Sequence, residues 1–349
     1  MPARGAEQGS RFDLAIVGSS PPAGDLRRAL LERRFPFREV RLLGTPGAEM
    51  QITEFAGEPR LVSPAEPEAL KGVHLAFFCE DPATGGAYRD WPERDGYLAI
   101  DLTGGSGPAG PPPMASLRDP DALPAPRHGW LAAAHPLSHL LATLVTPLEI
   151  RTRLLAVRGV VLRPASDFGQ AGLDELYGQS VNLLNFTELP REVFARQLAF
   201  NIIPGEILDR GRALEAMIAS QVCALLGRPD MTVSVFLAVA PVFHAHTAVL
   251  HLEFESRPAE DDLRDLLRGT AYLRVDAEPL TPVETGEERR PHVGLVRRDA
   301  QGRGAWLWAV ADGVAAAAAD SAVSLAERLL GVESRHHPRA GGRAEEEGA

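Results

Sequence analysis

The first residues that could do chemistry are Ser138 and the histidines near it in the sequence, with His246 as a candidate partner in space. Ser138 lies between His135 and His139, and a serine activated by a histidine base is the arrangement of a hydrolase. The sequence has no G-x-S-x-G turn around this serine and no acid placed to orient a histidine. Serine is also a common N-cap residue, so we expect Ser138 to cap the helix that follows it rather than to attack a substrate.

A second group is the triplet His244-Ala245-His246, with His251 further along the chain. Side chains alternate along a strand, so His244 and His246 are predicted to lie on the same face. Histidine is a common metal ligand, but a stable site needs at least a third ligand, and the sequence offers none that can be placed. We therefore expect no metal site at the triplet, and we expect His246 to have no metal-binding role.

A glycine-containing turn follows the first predicted strand and reads VGSSPPAG. Gly18, Ser20 and Gly24 are placed as in turns that bring the backbone close to a dinucleotide pyrophosphate. Pro21 and Pro22 stand between them, and proline has a fixed φ and no N–H to offer a phosphate. The turn therefore predicts a preserved fold without a cofactor, with NADP or NAD binding as the open alternative.

The elements that must position these residues begin with a βαβ unit. Apolar runs at 12–18 and 38–43 predict strands, and helical spacing at 25–34 predicts a helix between them. A strand, helix and strand within so short a stretch predict parallel pairing with a right-handed crossover. Further apolar runs at 72–78 and 97–102 extend the same parallel sheet.

The second half has a different pattern, in which strands alternate between apolar and polar residues, as in a sheet with one covered face. A Gly- and Pro-rich stretch at 104–128 predicts a long loop, and the polar tail 331–349 predicts disorder. The predicted class is α/β, with an N-terminal Rossmann-like doubly wound parallel sheet followed by an α+β domain. The predicted domains are 12–137 with 312–330, and 138–311.

The composition excludes some classes of function. The chain has 349 residues, with 36 basic and 47 acidic side chains and a net charge of -11. An acidic chain without a basic run is a poor candidate for binding nucleic acid or an anionic membrane. The two cysteines, Cys79 and Cys223, form no disulfide framework, and no apolar run is long enough for a membrane span. We expect a cytoplasmic protein.

Several segments resemble the aspartate-semialdehyde dehydrogenase family in order and spacing over residues 12–330. The stretch AAAHPLSHLLATLVTPL resembles the family segment A-N-P-N-C-S-T, and VLRPASDFGQAGLDEL resembles Q-A-V-S-G-A-G-x-A-G-x-x-E-L. QLAFNIIP matches that family closely, and PVFHAHTAVLHLE resembles P-V-x-x-G-H-S-x-A-V. The Ala-rich segment at 314–330 resembles the family's closing helix, but Ala315 and Ala316 stand where the family has a basic pair.

This resemblance implies an NADP cofactor, a cysteine nucleophile and dimerisation through the second domain. It places Ser138 at the cysteine, Arg163 at a glutamine and Val239 at the arginine that binds the substrate carboxylate. His246 keeps the position of the general-base histidine. Gly169 keeps a glycine of the cofactor-side segment and is a weak cofactor-binding candidate.

Retained packing segments without the reactive groups predict a non-catalytic, dimeric scaffold or regulatory paralogue, similar to the catalytically degenerate Usg-type members of this family. Its partner is expected to be a second copy, with a true family enzyme as a further candidate. The alternatives are an NAD(P)-dependent oxidoreductase acting on an aldehyde or acyl phosphate, and a binding module that uses Arg163 and His246 for an anion.

Overall fold

A computed structural model describes residues 12–18, 21–45, 50–79, 88–102, 128–208, 211–286 and 289–332. The predicted loop at 104–128 falls outside these residues except at its last position, and the predicted disordered tail falls outside them beyond 332. Ser20, one of the candidate cofactor-binding residues, also lies outside the described residues.

The first layered unit is built on a parallel sheet of six strands, which confirms the predicted Rossmann-like class. Its strands in chain order are β1 (Phe12–Val17), β2 (Phe37–Gly44), β5 (Ser63–Pro64), β6 (Leu75–Phe78), β7 (Leu98–Asp101) and β8 (Gly129–Ala132). They lie in the order β5-β2-β1-β6-β7-β8. A small antiparallel pair, β3 (Ile52–Phe55) and β4 (Glu58–Leu61), is separate from this sheet.

The helices of this unit are α1 (Pro21–Glu32), a 3₁₀ turn at Pro67–Leu70 and α2 (Trp91–Asp95). Helix α1 begins at Pro21, four residues before the predicted start at Asp25. Proline is well tolerated in the first turn of a helix, because its fixed φ is helical and its missing N–H would have no partner there. The two prolines therefore start the helix rather than delay it.

The second unit follows β8 and contains most of the remaining elements. Its helices are α3 (Pro136–Thr152), a 3₁₀ turn at Ala165–Phe168, α4 (Gly169–Asn185), α5 (Gly205–Leu208), α6 (Gly211–Leu225), α7 (Glu260–Arg268) and a 3₁₀ turn at Pro282–Glu284. Its strands are β9 (Leu154–Arg163), β10 (Ile203–Pro204), β11 (Thr232–Val239), β12 (His246–Phe254), β13 (Arg274–Val275), β14 (His292–Arg298) and β15 (Gly304–Ala311). The chain continues into α8 (Val314–Leu329).

These strands form a mixed seven-stranded sheet in the order β10-β11-β9-β12-β15-β14-β13. One face is covered by α3, α6 and α7, whose apolar side chains share a continuous core with the sheet. The opposite face leaves large apolar side chains in solvent, at Leu155, Val160, Phe236 and Trp306. The segment around Leu280 covers part of this face at Trp308, so the alternating pattern marks a sheet whose second face this chain covers only in part.

The last helix, α8, packs against the first unit. Ala319, Ala322 and Val323 pack into the core of the parallel sheet together with α1. The buried guanidinium of Arg33 at the end of α1 donates hydrogen bonds of 3.1 and 2.5 Å to both carboxylate oxygens of Glu327. A charge-assisted bidentate pair of this kind fixes the orientation of the two helices.

The centre of the mixed sheet depends on a close backbone approach at Gly159. A Cβ placed there would lie 2.2 Å from the carbonyl oxygen of Val249 on the neighbouring strand. We predict that Gly159→Ala lowers the free energy of unfolding by about 1–3 kcal/mol, because the strands must move apart. Chemical denaturation measures the change.

The control is Gly24→Ala in α1, where the nearest atom to the added Cβ is 3.9 Å away. Alanine favours a helix interior over glycine, so this variant should be neutral or more stable by up to about 1 kcal/mol. Equal losses in both variants would show that the approach at Gly159 is not special.

Candidate functional site

Ser138 is the third residue of α3 and not its cap, so the expected capping role is wrong. The N-cap is His135, whose ring nitrogen Nδ1 accepts a hydrogen bond of 3.2 Å from the Leu137 backbone N–H. Ser138 is completely buried, and its hydroxyl has no hydrogen-bond partner among the described residues. A buried hydroxyl without a base has no route to act as a nucleophile.

The neighbouring histidines do not activate Ser138. His135 uses Nδ1 to cap the helix, and its backbone N–H donates to Gln221 Oε1 at 2.9 Å. Burial lowers the pKa of His139 to about 4, although Asp320 opposes the shift, and the buried Nδ1 of His139 has no partner among the described residues. The structure therefore shows no serine–histidine hydrogen bond at this position.

Arg163 and His246 do come together, and a third residue, Asp167, joins them. Arg163 ends β9, and its Nε donates to Asp167 Oδ2 at 2.7 Å. His246 begins β12, and its Nε2 lies 2.9 Å from Asp167 Oδ1, although the ring N–H is not aligned for a good hydrogen bond. Asp167 lies in the 3₁₀ turn between β9 and α4. The Asp167 carboxylate therefore contacts two basic side chains, one from β9 and one from β12.

The electrostatics of this cluster favour a charged Asp167. Burial alone would raise the pKa of Asp167, but His246 and Arg163 together hold it well below its usual range. The side chains of Arg163 and His246 are nearly buried, whereas that of Asp167 keeps about a quarter of its exposure. The guanidinium of Arg163 also lies 4.9 Å from the ring centroid of Phe168. Arg163 is thus held by both a charge and an aromatic face.

Sequence reasoning missed Asp167 and Phe168. In the family segment that VLRPASDFGQAGLDEL resembles, these two positions hold glycine and alanine. A carboxylate and an aromatic ring therefore stand where that segment has only a hydrogen and a methyl group. The i, i+4 spacing of Arg163 and Asp167 was the signal that could have indicated their pairing.

The prediction that His244 and His246 share a face is wrong. Strand β12 begins at His246, and Ala245 has a positive φ of 66° that interrupts the alternation before it. His246 is consequently buried, whereas His244 is exposed. In the described ranges, no three His, Cys, Asp or Glu side chains are grouped so that they could hold a metal ion.

Val239, at the position of the substrate-binding arginine, is fully buried beside Arg163 in the parallel pairing of β11 and β9. It packs with apolar neighbours that include Phe194 and Ile203. Neither cysteine offers a replacement nucleophile, because Cys79 belongs to the core of the first sheet and burial raises the pKa of Cys223. Val239 therefore provides no cation for a substrate, and neither cysteine provides a thiolate.

The described residues of the glycine turn offer few N–H groups to a dinucleotide pyrophosphate. The N–H of Gly18 donates to the carbonyl oxygen of Leu43 at 2.7 Å, so it is already used by the sheet. Pro21 and Pro22 are the first two residues of α1 and offer no N–H. A helix N-terminus binds phosphate through its free N–H groups, and this helix has lost two of them. Gly24 lies one turn inside α1.

Gly169 lies in a turn, and its backbone N–H is already hydrogen-bonded within the chain. Its φ is 68°, a conformation that favours glycine, and its N–H donates to the carbonyl oxygen of Ser166. This turn joins the 3₁₀ segment to α4 and so places Asp167 between Arg163 and His246. The glycine that we considered for the cofactor contributes to the ion-pair cluster in this structure.

Comparisons with known proteins agree with the fold. Residues 147–315 match the semialdehyde dehydrogenase dimerisation domain. A USG-1 protein homolog of Pseudomonas aeruginosa is 30% identical over 337 residues, which cover 91% of this chain and 98% of that relative. Aspartate-semialdehyde dehydrogenase 2 of Vibrio cholerae is 28% identical over 331 residues, which cover 92% and 98%.

A solved structure of a probable aspartate-semialdehyde dehydrogenase from Pseudomonas aeruginosa superposes with a TM-score of 0.80 at 26% identity. The match covers 92% of this chain and 99% of that chain. The structural similarity therefore extends over both layered units and is not confined to the six-stranded parallel sheet.

The ion-pair cluster generates a stability prediction. Exposed pairs contribute up to about 1 kcal/mol and breaking a buried one costs about 3–5 kcal/mol, so we expect Asp167→Asn to cost about 1–2 kcal/mol at pH 7. Because the folded-state pKa of Asp167 is depressed, its contribution is complete above the unfolded pKa of about 4 and is lost as the pH falls further.

Urea unfolding of the wild type and of Asp167→Asn between pH 7 and pH 3 measures this difference. The control is Asp174→Asn on the exposed side of α4, which should change stability by less than about 0.5 kcal/mol. A wild-type advantage over Asp167→Asn that does not shrink below pH 4 would contradict the assigned ion pair.

Proposed function

The chain belongs to the aspartate-semialdehyde dehydrogenase family, and we propose that it is a non-catalytic member that acts as a dimeric scaffold or regulatory partner. The observation that carries this proposal is the closed cluster of Arg163, Asp167 and His246. His246, at the position of the family's general base, and Arg163, beside the position of its substrate-binding arginine, are here paired with a carboxylate of the chain itself.

The covalent step of such a dehydrogenase requires a nucleophile that is both reactive and accessible. A serine hydroxyl is far less nucleophilic than a thiolate unless a base removes its proton. Ser138 is fully buried and has no partner among the described residues, so nothing in its surroundings supplies that base. The first chemical step therefore has no group to perform it.

Substrate binding would also lack a cation. Val239 is apolar, and Arg163, the basic residue beside it in the sheet, is paired with Asp167. A substrate carboxylate would have to displace Asp167 and leave that carboxylate without Arg163. This exchange makes the anion-binding alternative, with Arg163 and His246 as the site, unfavourable.

The alternative function is an NAD(P)-dependent oxidoreductase that acts on an aldehyde or acyl phosphate. The observation in its favour is that the parallel sheet and the positive φ of Gly18, at 123°, are retained. Against it, the first turn of α1 lacks the N–H groups of Pro21 and Pro22. We propose that no cofactor is bound.

Dimerisation is supported by the uncovered face of the mixed sheet. Phe236 and Trp306 are 47% and 37% exposed on that face, and the matched dimerisation domain includes both residues. A contiguous apolar face of this kind is costly in water and typical of an interface. We propose that a second copy covers it, and that a catalytic relative with a similar face is the next candidate.

The remaining assignments follow the same proposal. We propose 12–137 with 312–330 and 138–311 as the two domains, a cytoplasmic location, and no binding to nucleic acid or membranes. In the described part of the chain, no helix has the length and apolar character needed to cross a bilayer. The net charge of -11 disfavours polyanionic partners.

The central prediction of this proposal concerns turnover. With aspartate semialdehyde, NADP and phosphate, the wild type should show no reduction of NADP above background. Ser138→Cys should remain inactive, because the thiol would be buried and Val239 and Asp167 would be unchanged. Aspartate-semialdehyde dehydrogenase 2 of Vibrio cholerae serves as the positive control. Saturable turnover by the wild type that His246→Ala abolishes would overturn the proposal.

A second prediction concerns the uncovered sheet face. Light scattering should give twice the chain mass of 37.5 kDa for the wild type and the single mass for Trp306→Asp or Phe236→Asp. The control is Ile52→Asp, since Ile52 is 75% exposed in β3 of the small antiparallel pair, which is separate from the mixed sheet. Circular dichroism shows whether each variant is folded, and a folded Trp306→Asp dimer would contradict the assigned interface.

A further inference from the structure

A cavity of about 470 Å³ is lined by the end of α1, the first turns of α8, part of α3 and the segment before β14. None of Ser138, Arg163 and His246 lines it, so it is separate from the site described above. An apolar cavity of about 150 Å³ is enough to hold benzene. This cavity therefore has room for a ring with substituents, and concave spaces of this size are the usual places for small ligands.

Two arginines of the lining are paired with carboxylates of the chain. Arg33 donates hydrogen bonds of 3.2 and 3.0 Å to Asp320. Arg289 donates hydrogen bonds of 2.8 and 3.1 Å to Glu32. A charged ligand that used one of these groups would have to separate a pair, and the group left behind would lose its counter-charge. The pairing therefore favours a ligand without charge.

The other charged residues of the lining are Arg290 and Asp312. Arg290 has an interaction within the chain, and Asp312 accepts a hydrogen bond of 2.8 Å from the Gly313 N–H. In total, three arginines and three carboxylates line the cavity, so their formal charges cancel. The lining consequently has no net charge that would select an ion of either sign.

Two polar side chains of α3, His139 and Thr143, line the cavity without being bonded. They are four residues apart and therefore neighbours on one face of the helix. Burial lowers the pKa of His139 to about 4, so its imidazole is neutral at pH 7. Within the described residues, neither ring nitrogen of His139 and no atom of the Thr143 hydroxyl has a hydrogen-bond partner. A buried polar group without a partner is costly, so a ligand hydrogen bond there is favourable.

The space beside these two side chains is apolar. Leu140 follows His139 on α3, and Val314 and Ala317 belong to the first turn of α8. The small side chain of Ala317 leaves the space open. A ligand gains stability here by removing an apolar surface from water, which a ring provides.

A hydroxyl group suits His139 and Thr143 better than other polar groups. A neutral imidazole has one nitrogen that donates and one that accepts, and a hydroxyl group can do both. It can therefore form a hydrogen bond with His139 in either tautomer, and with the Thr143 hydroxyl as well. An ammonium group only donates, a carboxylate only accepts, and each has a charge that the paired lining does not favour.

We propose that this cavity binds an uncharged ring compound with one hydroxyl group, such as an alkylphenol. The hydroxyl group is hydrogen-bonded to His139 and Thr143, and the ring lies against Leu140, Val314 and Ala317. A ligand that binds only the folded chain raises its melting temperature. This binding role is additional to the proposed scaffold function and does not depend on it.

Titration of the full-length wild type with 4-ethylphenol, followed by ligand-observed NMR, tests the proposal. Ethylbenzene lacks the hydroxyl group, and 4-ethylbenzoate has a charged group in its place. We expect a Kd below about 1 mM for 4-ethylphenol, in the range of weak small-ligand complexes. Each of the other two compounds should bind at least about fivefold more weakly, because it loses the hydroxyl hydrogen bonds.

The contribution of the two polar side chains is tested by His139→Phe and Thr143→Val. Phenylalanine keeps a planar ring without nitrogen atoms, and valine keeps the shape of threonine without its hydroxyl. We expect each variant to lower the preference for 4-ethylphenol over ethylbenzene at least about threefold. A purely structural role of His139 would change the affinity for both compounds equally.

The location is tested by Ala317→Leu, which fills the cavity. The control is Ala315→Leu, the same change at an exposed position of α8 that does not line it. We expect the first variant to lose binding of 4-ethylphenol and the second to keep the wild-type affinity. Circular dichroism shows whether each variant is folded.

The proposal is overturned if 4-ethylphenol does not bind at about 10 mM, if ethylbenzene or 4-ethylbenzoate binds as well, or if a folded Ala317→Leu keeps the wild-type affinity. If His139→Phe does not fold, Thr143→Val decides the hydrogen-bonding role, since its change is nearly isosteric. These measurements report binding and not turnover or dimerisation. Their outcome is therefore distinguishable from a failure of the proposed scaffold function.

Discussion

The carboxylate of Asp167 is the constraint on which the arrangement of Arg163 and His246 depends. It joins the end of β9 to the beginning of β12 through Arg163 and His246, and the turn at Gly169 holds it in place. A buried cation and a buried histidine without a counter-charge would each be costly. With Asp167 between them, Arg163 and His246 have a counter-charge that the chain itself provides. A cleft whose charges are satisfied within the chain has little to gain from a charged substrate.

The rest of the molecule retains the means of holding two layered units together. The Arg33–Glu327 pair returns α8 to the first sheet, and the close approach at Gly159 sets the centre of the second. These contacts preserve the shape, and a buried serine and a buried valine stand at the positions that the resemblance assigns to the nucleophile and the substrate arginine. An apolar sheet face that the chain leaves uncovered then remains as the surface through which such a protein can act.

Much of the fold could be predicted from the sequence, because a strong periodicity of apolar residues identifies strands and helices. The parallel sheet was predicted, and the bounds of β1 and β2 were predicted to within a few residues. Local geometry was harder. The positive φ at Ala245 separated His244 from His246, and the use of His135 as the cap moved Ser138 into the helix. Neither feature has a periodic signal.

The central cluster was missed for a different reason. Arg163 and His246 were identified as isolated positions, but Asp167 acquires its role only when β9 and β12 pair and the intervening turn folds back. Contacts between residues far apart in sequence require the topology before they can be inferred. Asp167 stands where the similar family segment has a glycine, and this difference indicated that the tertiary packing differs there.

The most direct test of a cleft closed by its own side chains is a calorimetric titration of the purified protein with NADPH and NADH. The Vibrio cholerae aspartate-semialdehyde dehydrogenase 2 provides the comparison. Our account predicts no saturable heat at millimolar cofactor, because Pro21 and Pro22 offer no N–H and Gly18 gives its own to Leu43. Saturable binding in the micromolar range would contradict it and would favour an active oxidoreductase.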